Sequence, residues 1–358
     1  MSAYIFDALL WPVYHITKAL QLPIANTSTS MTGSPTYGNE QKEEASVSPY
    51  LDHMGHIAVI CGAIRAYIMA YMTIYWLSPC IQPMGVYPAF GRAAHFNWSW
   101  MVPIIFRNVF ATWLICGCWD WFLYFSLLRD RLSPYKMNPI YPPISQWSHD
   151  IFWTTCASLM ASLLEIAYCY SACNTFLPSP PPTELIFSWV NILWIVLVTH
   201  WRVPHFYLIH RLMHPWKTAK THGGTGGIGM IMDMIPDIGR ILYKYIHSIH
   251  HKSHNPTAFS GTSMHPVESV LYYSAAGIAV LGGRHCTIVL ACVIDCAVGA
   301  WLGHDGFYFP GCGDDFHQLH HAHFDCNYGT SIDGIDYWMG TSISKSSDLG
   351  KETESKTK

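Results

Sequence analysis

Apolar residues dominate four long stretches of the chain, at residues 57–77, 109–128, 151–173 and 186–209. Each is close to the roughly 20 residues that an α-helix needs to cross the apolar core of a bilayer. A fifth apolar region, residues 267–302, is interrupted by the sequence GGRH, which predicts two short helices that enter and leave the membrane from the same side. The pattern therefore predicts an all-α integral membrane protein with about four transmembrane helices plus a short helical hairpin.

Polar segments divide the rest of the chain. Residues 1–50 combine an apolar, amphipathic stretch with a flexible Ser/Thr/Gly segment, and residues 346–358 form a polar tail. We expect residues 51–185 to be membrane-anchor helices and residues 186–345 to form the domain that carries the chemistry. A Gly-rich stretch, residues 216–240, is interpreted as an insert in that domain.

Basic residues indicate how the helices are oriented, because loops that stay in the cytosol are enriched in Lys and Arg. The segments after the second and fourth apolar stretches are basic, whereas the Pro-rich turn LPSPPPTE between the third and fourth has no basic residue. We therefore expect the basic segments and the histidine-rich segments to form a helical cap on the cytosolic side. The basic residues are Arg129, Arg131, Lys136, Lys217, Lys220, Arg240, Lys244 and Lys252.

Composition supports a membrane protein and excludes one class of partner. Hydrophobic residues make up 51% of the chain and charged residues only 12%, which is half the usual share of about 25%. The formal net charge is -3, so the chain has no basic footprint for nucleic acid. The 12 cysteines include no Cys-x-x-Cys pair, which argues against a disulfide scaffold and against a zinc finger.

Histidine is the unusual residue type, with 21 copies in the chain. The pattern His-x-x-His-His occurs twice, and a further pair in HRLMH is spaced i, i+4 at the end of the fourth apolar stretch. In an α-helix the positions i, i+3 and i+4 share one face, so each motif is expected to present its imidazoles together. The three motifs supply His210, His214, His247, His250, His251, His317, His320 and His321.

So many imidazoles suit two metal ions better than one, because one ion takes about four to six ligands, and imidazole fits iron, copper or zinc. The sequence has no Glu-x-x-His pattern, which argues against a carboxylate diiron bundle. It also has no His-Glu-x-x-His pattern, which argues against a zinc protease. The sequence therefore predicts an all-histidine, two-metal site at the membrane surface.

Four segments within residues 186–341 resemble the sterol desaturase and fatty acid hydroxylase superfamily: HRLMH, YKYIHSIHHKSHNPTAFSGTSMHPVES, GHDGF and FHQLHHAHFDCNYG. The HDG element and the FDCNYG ending are most similar to those of sterol C-5 desaturases (lathosterol oxidases). The resemblance implies an oxidoreductase of the endoplasmic reticulum membrane that acts on a sterol or another lipid. It also implies two non-heme iron ions (or zinc in a purified form), O2 as cosubstrate, and electrons from cytochrome b5 and its NAD(P)H-dependent reductase.

Carried over to this chain, the resemblance implies that the eight histidines of the three motifs are metal ligands, and it adds His304 in GHDG and His265 in MHP. We expect Asn327 to accept a hydrogen bond from a ligand imidazole, since ligating imidazoles usually donate their other N–H to a fixed acceptor. We expect no catalytic residue beyond the ligands. Two features depart from the family. The insert at residues 216–240 lengthens a connection that is usually short, and at one position of HRLMHP a single histidine stands where many relatives have two adjacent ones, which leaves the i, i+4 pair intact.

Two alternatives stay open. Within the same superfamily, the motifs are also consistent with a C-4 methyl sterol oxidase or another lipid hydroxylase. In a different class, a His-rich membrane metal transporter or sensor would need ligands at mid-membrane depth, whereas these motifs lie outside the apolar stretches. Asp120, Glu165 and Asp295 lie inside apolar stretches, where an ionisable residue is either functional or neutralised by a polar partner.

Overall fold

The computed structural model describes residues 53–72, 93–178, 188–216, 237–284, 286–308, 315–330, 335–339 and 341–342. Within these ranges the chain is helical, and its β-type pairing is an isolated bridge between Lys136 and Phe307. The α-helices are α1 (His53–Met72), α2 (Trp98–Asp120), α3 (Arg129–Leu132), α4 (Ile144–Cys173), α5 (Trp189–Leu212), α6 (Ile238–Tyr245), α7 (Pro266–Tyr273), α8 (Gly277–Leu281), α9 (Cys286–Leu302), α10 (Asp315–His323) and α11 (Ile335–Trp338). Short 3₁₀ helices lie at Ser133–Tyr135, His247–Lys252, Ala258–Thr262 and Ser274–Ala276.

Among the described residues, three helices are long and apolar enough to cross a membrane: α2 with its π-helical continuation Trp121–Phe125, α4 and α5. They correspond to three of the four predicted spans. The fourth prediction, at residues 57–77, falls on α1, whose apolar part Ile60–Met72 is shorter than a span within the described residues. The region predicted as a hairpin contains α7 and α8 followed, after a break at Gly282 and Gly283, by α9, while its entry into and exit from the membrane on one side stays a prediction.

Short polar residues set where two of the long helices begin. The side chain of Asn97 accepts a hydrogen bond from the backbone N–H of Ser99 (2.8 Å) at the start of α2. The hydroxyl of Ser188 accepts one from the N–H of Asn191 (3.2 Å) at the start of α5. Both contacts satisfy an amide group that the first turn of a helix leaves without a partner. The cap residue of α4 is Pro143, which has no N–H to satisfy.

The central helix of the bundle is α9, which packs against α1, α5 and the 3₁₀ helix Ala258–Thr262. The buried face of α1 includes Tyr67 and three small residues, Ala63, Ala66 and Ala70, each of the three at most 2% exposed. Their spacing of three and four residues places them on one side of the helix, and small side chains let two helices approach closely in a membrane. This packing fixes α9, and His304 follows directly after its last turn.

The loop between α2 and α4 fastens the cap to the membrane helices. The backbone N–H of Met137 donates to the carbonyl of Gly306 (3.0 Å), and the N–H of Tyr308 donates to the carbonyl of Tyr135 (2.7 Å). Gly306 has a φ of +80°. A Cβ atom at this position would lie 2.6 Å from the carbonyl oxygen of Pro256. Only glycine meets both conditions, which explains the glycine of the HDG sequence.

The three acidic residues that were singled out in the apolar stretches all have polar partners. Glu165 pairs with Arg107 of the neighbouring span. The Nε atom of Arg202 donates to Asp295 (2.6 Å). Asp120 accepts from two backbone N–H groups of the 3₁₀ helix Ala258–Thr262, at 2.8 and 3.4 Å. These contacts agree with neutralisation by a polar partner.

The predicted segments at residues 1–50 and 346–358 lie outside the described residues, as does most of the predicted insert. At the edges of the insert, the backbone N–H of Trp216 donates to the carboxylate of Asp237 (3.0 Å). The same carboxylate caps α6 by accepting from the N–H of Arg240 (3.0 Å). The two edges are therefore adjacent, and residues 216 and 237–240 belong to the packed structure.

Candidate metal centre

Four segments of the cap bring nine histidines together beside the end of α5. Two histidines come from the end of α5 and the turn that follows it, and three from the 3₁₀ helix His247–Lys252. One follows α9, and three lie on α10. All nine side chains are buried, and none is more than 5% exposed.

The nine imidazoles form two groups, in each of which one nitrogen per ring lies within 4.8 Å of the others. Group A consists of His210, His214, His247, His251 and His320. Group B consists of His250, His304, His317 and His321. Each group offers a number of nitrogen ligands that suits a single metal ion.

Each His-x-x-His-His motif serves both groups. In the motif at 247–251 the first and last histidines belong to group A and the middle one to group B, and in the motif at 317–321 this assignment is reversed. Histidines three residues apart stack: His247 and His250 have ring centroids 5.4 Å apart, and His317 and His320 have them 5.2 Å apart. The outer nitrogens of two stacked rings lie side by side, one in group A and the other in group B. One helical turn therefore supplies ligands to both metal positions.

The distances between outer ring nitrogens match those of a coordination sphere. In group A the Nε2 atom of His247 lies 2.9 Å from that of His210 and 3.0 Å from that of His251. In group B the Nε2 atom of His304 lies 3.0 Å from that of His321 and 3.3 Å from that of His250. Nitrogens bound about 2.0–2.1 Å from one ion are about 3.0 Å apart at right angles and about 3.4 Å apart in a tetrahedron.

The inner ring nitrogens of several histidines are held by backbone carbonyls. The carbonyl of Tyr328 accepts from Nδ1 of His210 (2.6 Å), and the carbonyl of Cys326 accepts from Nδ1 of His320 (2.6 Å). Asn327 lies between them with a φ of +52°, a left-handed conformation that asparagine tolerates better than most residues. Two more Nδ1 atoms donate to carbonyls, that of His250 to Ser263 (3.3 Å) and that of His304 to Ala300 (2.7 Å).

A carboxylate holds one further ring. Oε1 of Glu268, on α7, accepts from Nδ1 of His247 (2.7 Å), and both side chains are buried. Since a backbone carbonyl oxygen cannot donate, the proton of the four rings held by carbonyls lies on Nδ1, and each of these neutral rings presents a bare lone pair on Nε2. Lone pairs that converge at about 3 Å repel one another unless a cation lies between them.

Burial and missing partners also fit a metal. Within the described residues, neither ring nitrogen of His317 has a hydrogen-bond partner, although the side chain is buried. Burial lowers the pKa of His247 to about 3 and that of His250 to about 4. Burial likewise lowers the pKa of His214 and His251 well below the usual value. These imidazoles are therefore neutral at physiological pH, the form in which histidine binds metal ions.

A narrow cavity of about 50 Å³ lies beside both groups. Histidines from both groups line it, together with the apolar side chains of Phe206, Ile209 and Met264 and the polar ones of Arg202 and Tyr272. A group that enters this cavity would lie next to both metal positions in a largely apolar environment.

The structure brings together nine of the ten histidines singled out in the sequence. His265 joins neither group, because its Nδ1 accepts from the N–H of Val267 (3.1 Å) and thereby caps α7. The side chain of Asn327 donates to the carbonyl of Phe316 (3.0 Å) at the start of α10. The expected acceptors are thus the carbonyls on either side of Asn327, while its own side chain braces the helix that carries the third motif.

Sequence reasoning missed two features of the centre. The motif at 247–251 was expected on an α-helix, but it forms a 3₁₀ helix after a break at Ile246. Glu268 was not singled out, although it lies in the first turn of a helix that begins with Pro266. Its position inside the predicted apolar region 267–302 was a signal, because an ionisable residue in an apolar stretch is costly to bury unless it is functional or paired.

Comparison with known proteins gives matches over the same part of the chain. The family model "Fatty acid hydroxylase" matches residues 192–341. A delta(7)-sterol 5(6)-desaturase of Gibberella zeae is 33% identical over 112 residues, covering 28% of this chain and 31% of the relative. A delta(7)-sterol-C5(6)-desaturase of Nicotiana tabacum is 31% identical over 107 residues, covering 28% of this chain and 40% of the relative.

A longer but weaker match is the C-4 methylsterol oxidase of Schizosaccharomyces pombe, 23% identical over 177 residues, which covers 44% of this chain and 48% of the relative. In all three cases the chain spans less than half of the length of the relative that it matches. No solved structure matches the chain.

Proposed function

Residues 192–341 form a domain of the fatty acid hydroxylase family, and on that premise we propose that the protein is an O2-dependent lipid oxidoreductase with a histidine-bound dimetal centre. The observation that carries the proposal is the pair of buried histidine groups, whose outer nitrogens lie at coordination distances from one another. A metal transporter is less well supported, because these groups lie at the ends of α5 and α9 and on short helices, not within a long apolar helix.

The reaction proposed for this chain is C-5 desaturation of a sterol. Two relatives that are 33% and 31% identical over the matched segments bear names of delta(7)-sterol C-5 desaturases. The HDG and NYG details of the sequence point the same way. In the structure the HDG glycine is required by its turn, and the tyrosine after Asn327 supplies a carbonyl that holds His210.

The proposed metals are two iron ions, one held by group A and one by group B, with zinc able to occupy the same nitrogens in a purified form. When bound, such a pair would supply the O2 chemistry that attacks an unactivated C–H bond, which no amino-acid side chain performs alone. Both groups consist only of neutral imidazoles and therefore contribute no negative charge.

In this proposal the side chains of the protein hold the metals, orient the ligand rings and shield the site from water. Glu268 and the backbone carbonyls fix the rotation of individual rings, so that each outer nitrogen points at its metal position. The cavity of about 50 Å³, which Phe206, Ile209 and Met264 help to line, leaves room for little water beside the metal positions. A lipid carbon that enters it would be held against both groups, and its exact placement would decide between desaturation and hydroxylation.

Electrons for the reaction are proposed to come from cytochrome b5 and its NAD(P)H-dependent reductase. Location in the endoplasmic reticulum membrane, with the metal centre facing the cytosol, belongs to the same proposal. Arg240, Lys244 and Lys252 support the orientation, because they are exposed and belong to the same cap as the histidine groups. The three long apolar helices support a multi-pass membrane protein.

A second candidate function is oxidation of a C-4 methyl group of a sterol. The observation that favours it is the S. pombe relative, which matches a longer part of the chain than either desaturase does. Both candidates use the same metal centre and differ in which carbon of the sterol lies beside it.

The test is the sterol profile, by gas chromatography and mass spectrometry, of a host that lacks its own sterol C-5 desaturase and expresses this chain. We expect new sterols with a C-5 double bond, and none from a His320→Ala variant present in the membrane at the same level. Loss of C-4 methyl groups in a host that lacks its own C-4 methyl oxidase would establish the second candidate instead. Unchanged sterols in both hosts, with the metals bound, would refute both.

A further inference from the structure

A buried carboxylate outside the family domain holds the loop that follows the second histidine motif. Asp150 on α4 is 0% exposed. It accepts hydrogen bonds from the hydroxyls of Ser253 (2.6 Å), Ser260 (2.7 Å) and Ser263 (3.1 Å). Two side chains of its own helix, those of Gln146 and His149, complete the set of donors. Three of these five contacts join α4 to the loop, and two orient the carboxylate from within α4.

The serines connect Asp150 to group B. Ser253 follows directly after the 3₁₀ helix His247–Lys252, and its backbone N–H donates to the carbonyl of His250 (3.2 Å). The carbonyl of Ser263 accepts from Nδ1 of the same histidine (3.3 Å). Asp150 therefore holds the two loop residues that contact His250. Ser253 contacts the backbone carbonyl of His250, and Ser263 contacts its ring.

The hydrogen bonds between Asp150 and the serines favour one defined position of the loop. A carboxylate inside a membrane helix is costly to bury unless hydrogen bonds compensate it, and hydrogen bonds to an ionised acceptor are short and strong. Such a set stabilises only one arrangement of the loop, because a displaced serine would leave part of a buried charge without a partner.

We propose that Asp150 is a positioning residue of the metal centre, which fixes the ring of His250 toward the group B ion through Ser253 and Ser263. The proposal rests on the proposed two-metal function. It gives the helices that precede the family domain a role at the reacting site, beyond anchoring in the membrane.

The test is the Asp150→Asn variant of the full-length protein, purified in detergent with its metals. The amide keeps the shape of the side chain but replaces one acceptor with a donor. At one oxygen position the new amide nitrogen would face Nε2 of Gln146, which donates there now (3.3 Å). At the other it would face the hydroxyls of Ser253 and Ser263, which also donate there now, so existing hydrogen bonds are lost in either orientation. We expect one of the two ions to be released to a chelator at least about tenfold faster, since loss of an outer-shell contact typically weakens a metal site 10–100-fold.

The matched control is Asp120→Asn on α2. This carboxylate is equally buried and holds the same loop, but it does so through the backbone of Ala258 and Phe259. We expect this variant to release both ions at the wild-type rate even if its melting temperature falls. A merely structural role for Asp150 would affect both ions and both variants alike.

Release of both ions from Asp150→Asn at the wild-type rate would overturn the assignment. If that variant does not fold, the double variant Ser253→Ala with Ser263→Ala decides: faster loss of one ion supports the proposal, and unchanged loss overturns it. A wild-type protein that binds fewer than two ions would instead refute the proposed two-metal function, and this assignment with it.

Discussion

Replacing Gly239 by alanine tests how tightly the residues after the insert position group A. A Cβ atom at this position would lie 2.0 Å from the carbonyl oxygen of His214 and 2.6 Å from Nε1 of Trp216. Ordinary contacts begin at 3.4 Å, so α6 and the backbone of His214 would have to separate by about 1.4 Å, the difference between these distances. Metal–ligand distances tolerate only about 0.2 Å, so the shift is several times larger than the site can absorb.

We expect Gly239→Ala to lower the affinity of group A for its ion at least about tenfold and to destabilise the fold by about 1–3 kcal/mol, as overpacking usually does. The assay is the ratio of metal to protein after dialysis against a chelator, with a thermal melt of the same sample. Gly277→Ala on α8 is the matched control, because no atom lies within 4 Å of its new Cβ. Two retained ions and an unchanged melt in Gly239→Ala would refute the argument.

Three further predictions concern the same centre. Glu268→Leu leaves Nδ1 of His247 buried without its acceptor, so it should weaken metal binding about 10–100-fold in a chelator competition. Glu268→Gln keeps a carbonyl oxygen as acceptor and should bind metal nearly as tightly as the wild type. Equal losses of affinity in the two variants would contradict a hydrogen-bonding role for Glu268. The pKa values of about 3 for His247 and about 4 for His250 lie below the unfolded value of about 6.5, so only the unfolded state gains these protons as the pH falls. The metal-free protein should therefore melt at a steadily lower temperature below about pH 6.5, and a melting temperature that stays constant down to pH 5 would argue against neutral burial. Deleting residues 218–235 should preserve metal content and product formation, because a hydrogen bond between Trp216 and Asp237 already joins the edges of the insert. Loss of both metal and product at normal expression would show that the insert is required for function.

The sequence was sufficient for those parts of the site that depend on periodicity. Spacing of i, i+3 and i+4 identified eight of the nine grouped histidines, and the HDG resemblance added His304. Spacing alone could not assign a histidine to a metal position. Neighbours such as His320 and His321 belong to different groups, and this depends on how α10 lies against the 3₁₀ helix.

Other parts depend on long-range contacts and could not be predicted in the same way. His265 precedes α7, and its Nδ1 atom caps that helix by accepting from the N–H of Val267, so it is not available as a ligand. The carbonyls of Tyr328 and Ser263 hold ligand rings, yet a backbone carbonyl has no signature in the sequence. Asp150 lies one residue before the predicted apolar stretch at 151–173, so it did not stand out as a charge inside the membrane region.

Among the spans, the prediction at residues 57–77 was drawn from apolar composition alone. The described part of α1 is apolar but ends at Met72, and its alanine face packs against α9. Residues 73–77 lie outside the described residues, and Ile60, Ile64 and Ile68 on the opposite side of α1 are exposed, so this span stays a prediction. The other three stretches were confirmed as long apolar helices, with ends that differ from the predicted ones because capping residues such as Asn97 set them.

The pairing of the loop between α2 and α4 with the HDG segment has a consequence for how the protein can be divided. The boundary drawn by sequence similarity begins at residue 192. The backbone partners of Gly306 and Tyr308 lie far upstream of that boundary, at Met137 and Tyr135. Truncation at the boundary would remove these partners and expose the turn that carries the HDG sequence. The region that relatives share is therefore a unit of similarity but not of folding, and any shortened version of this protein must begin well before it.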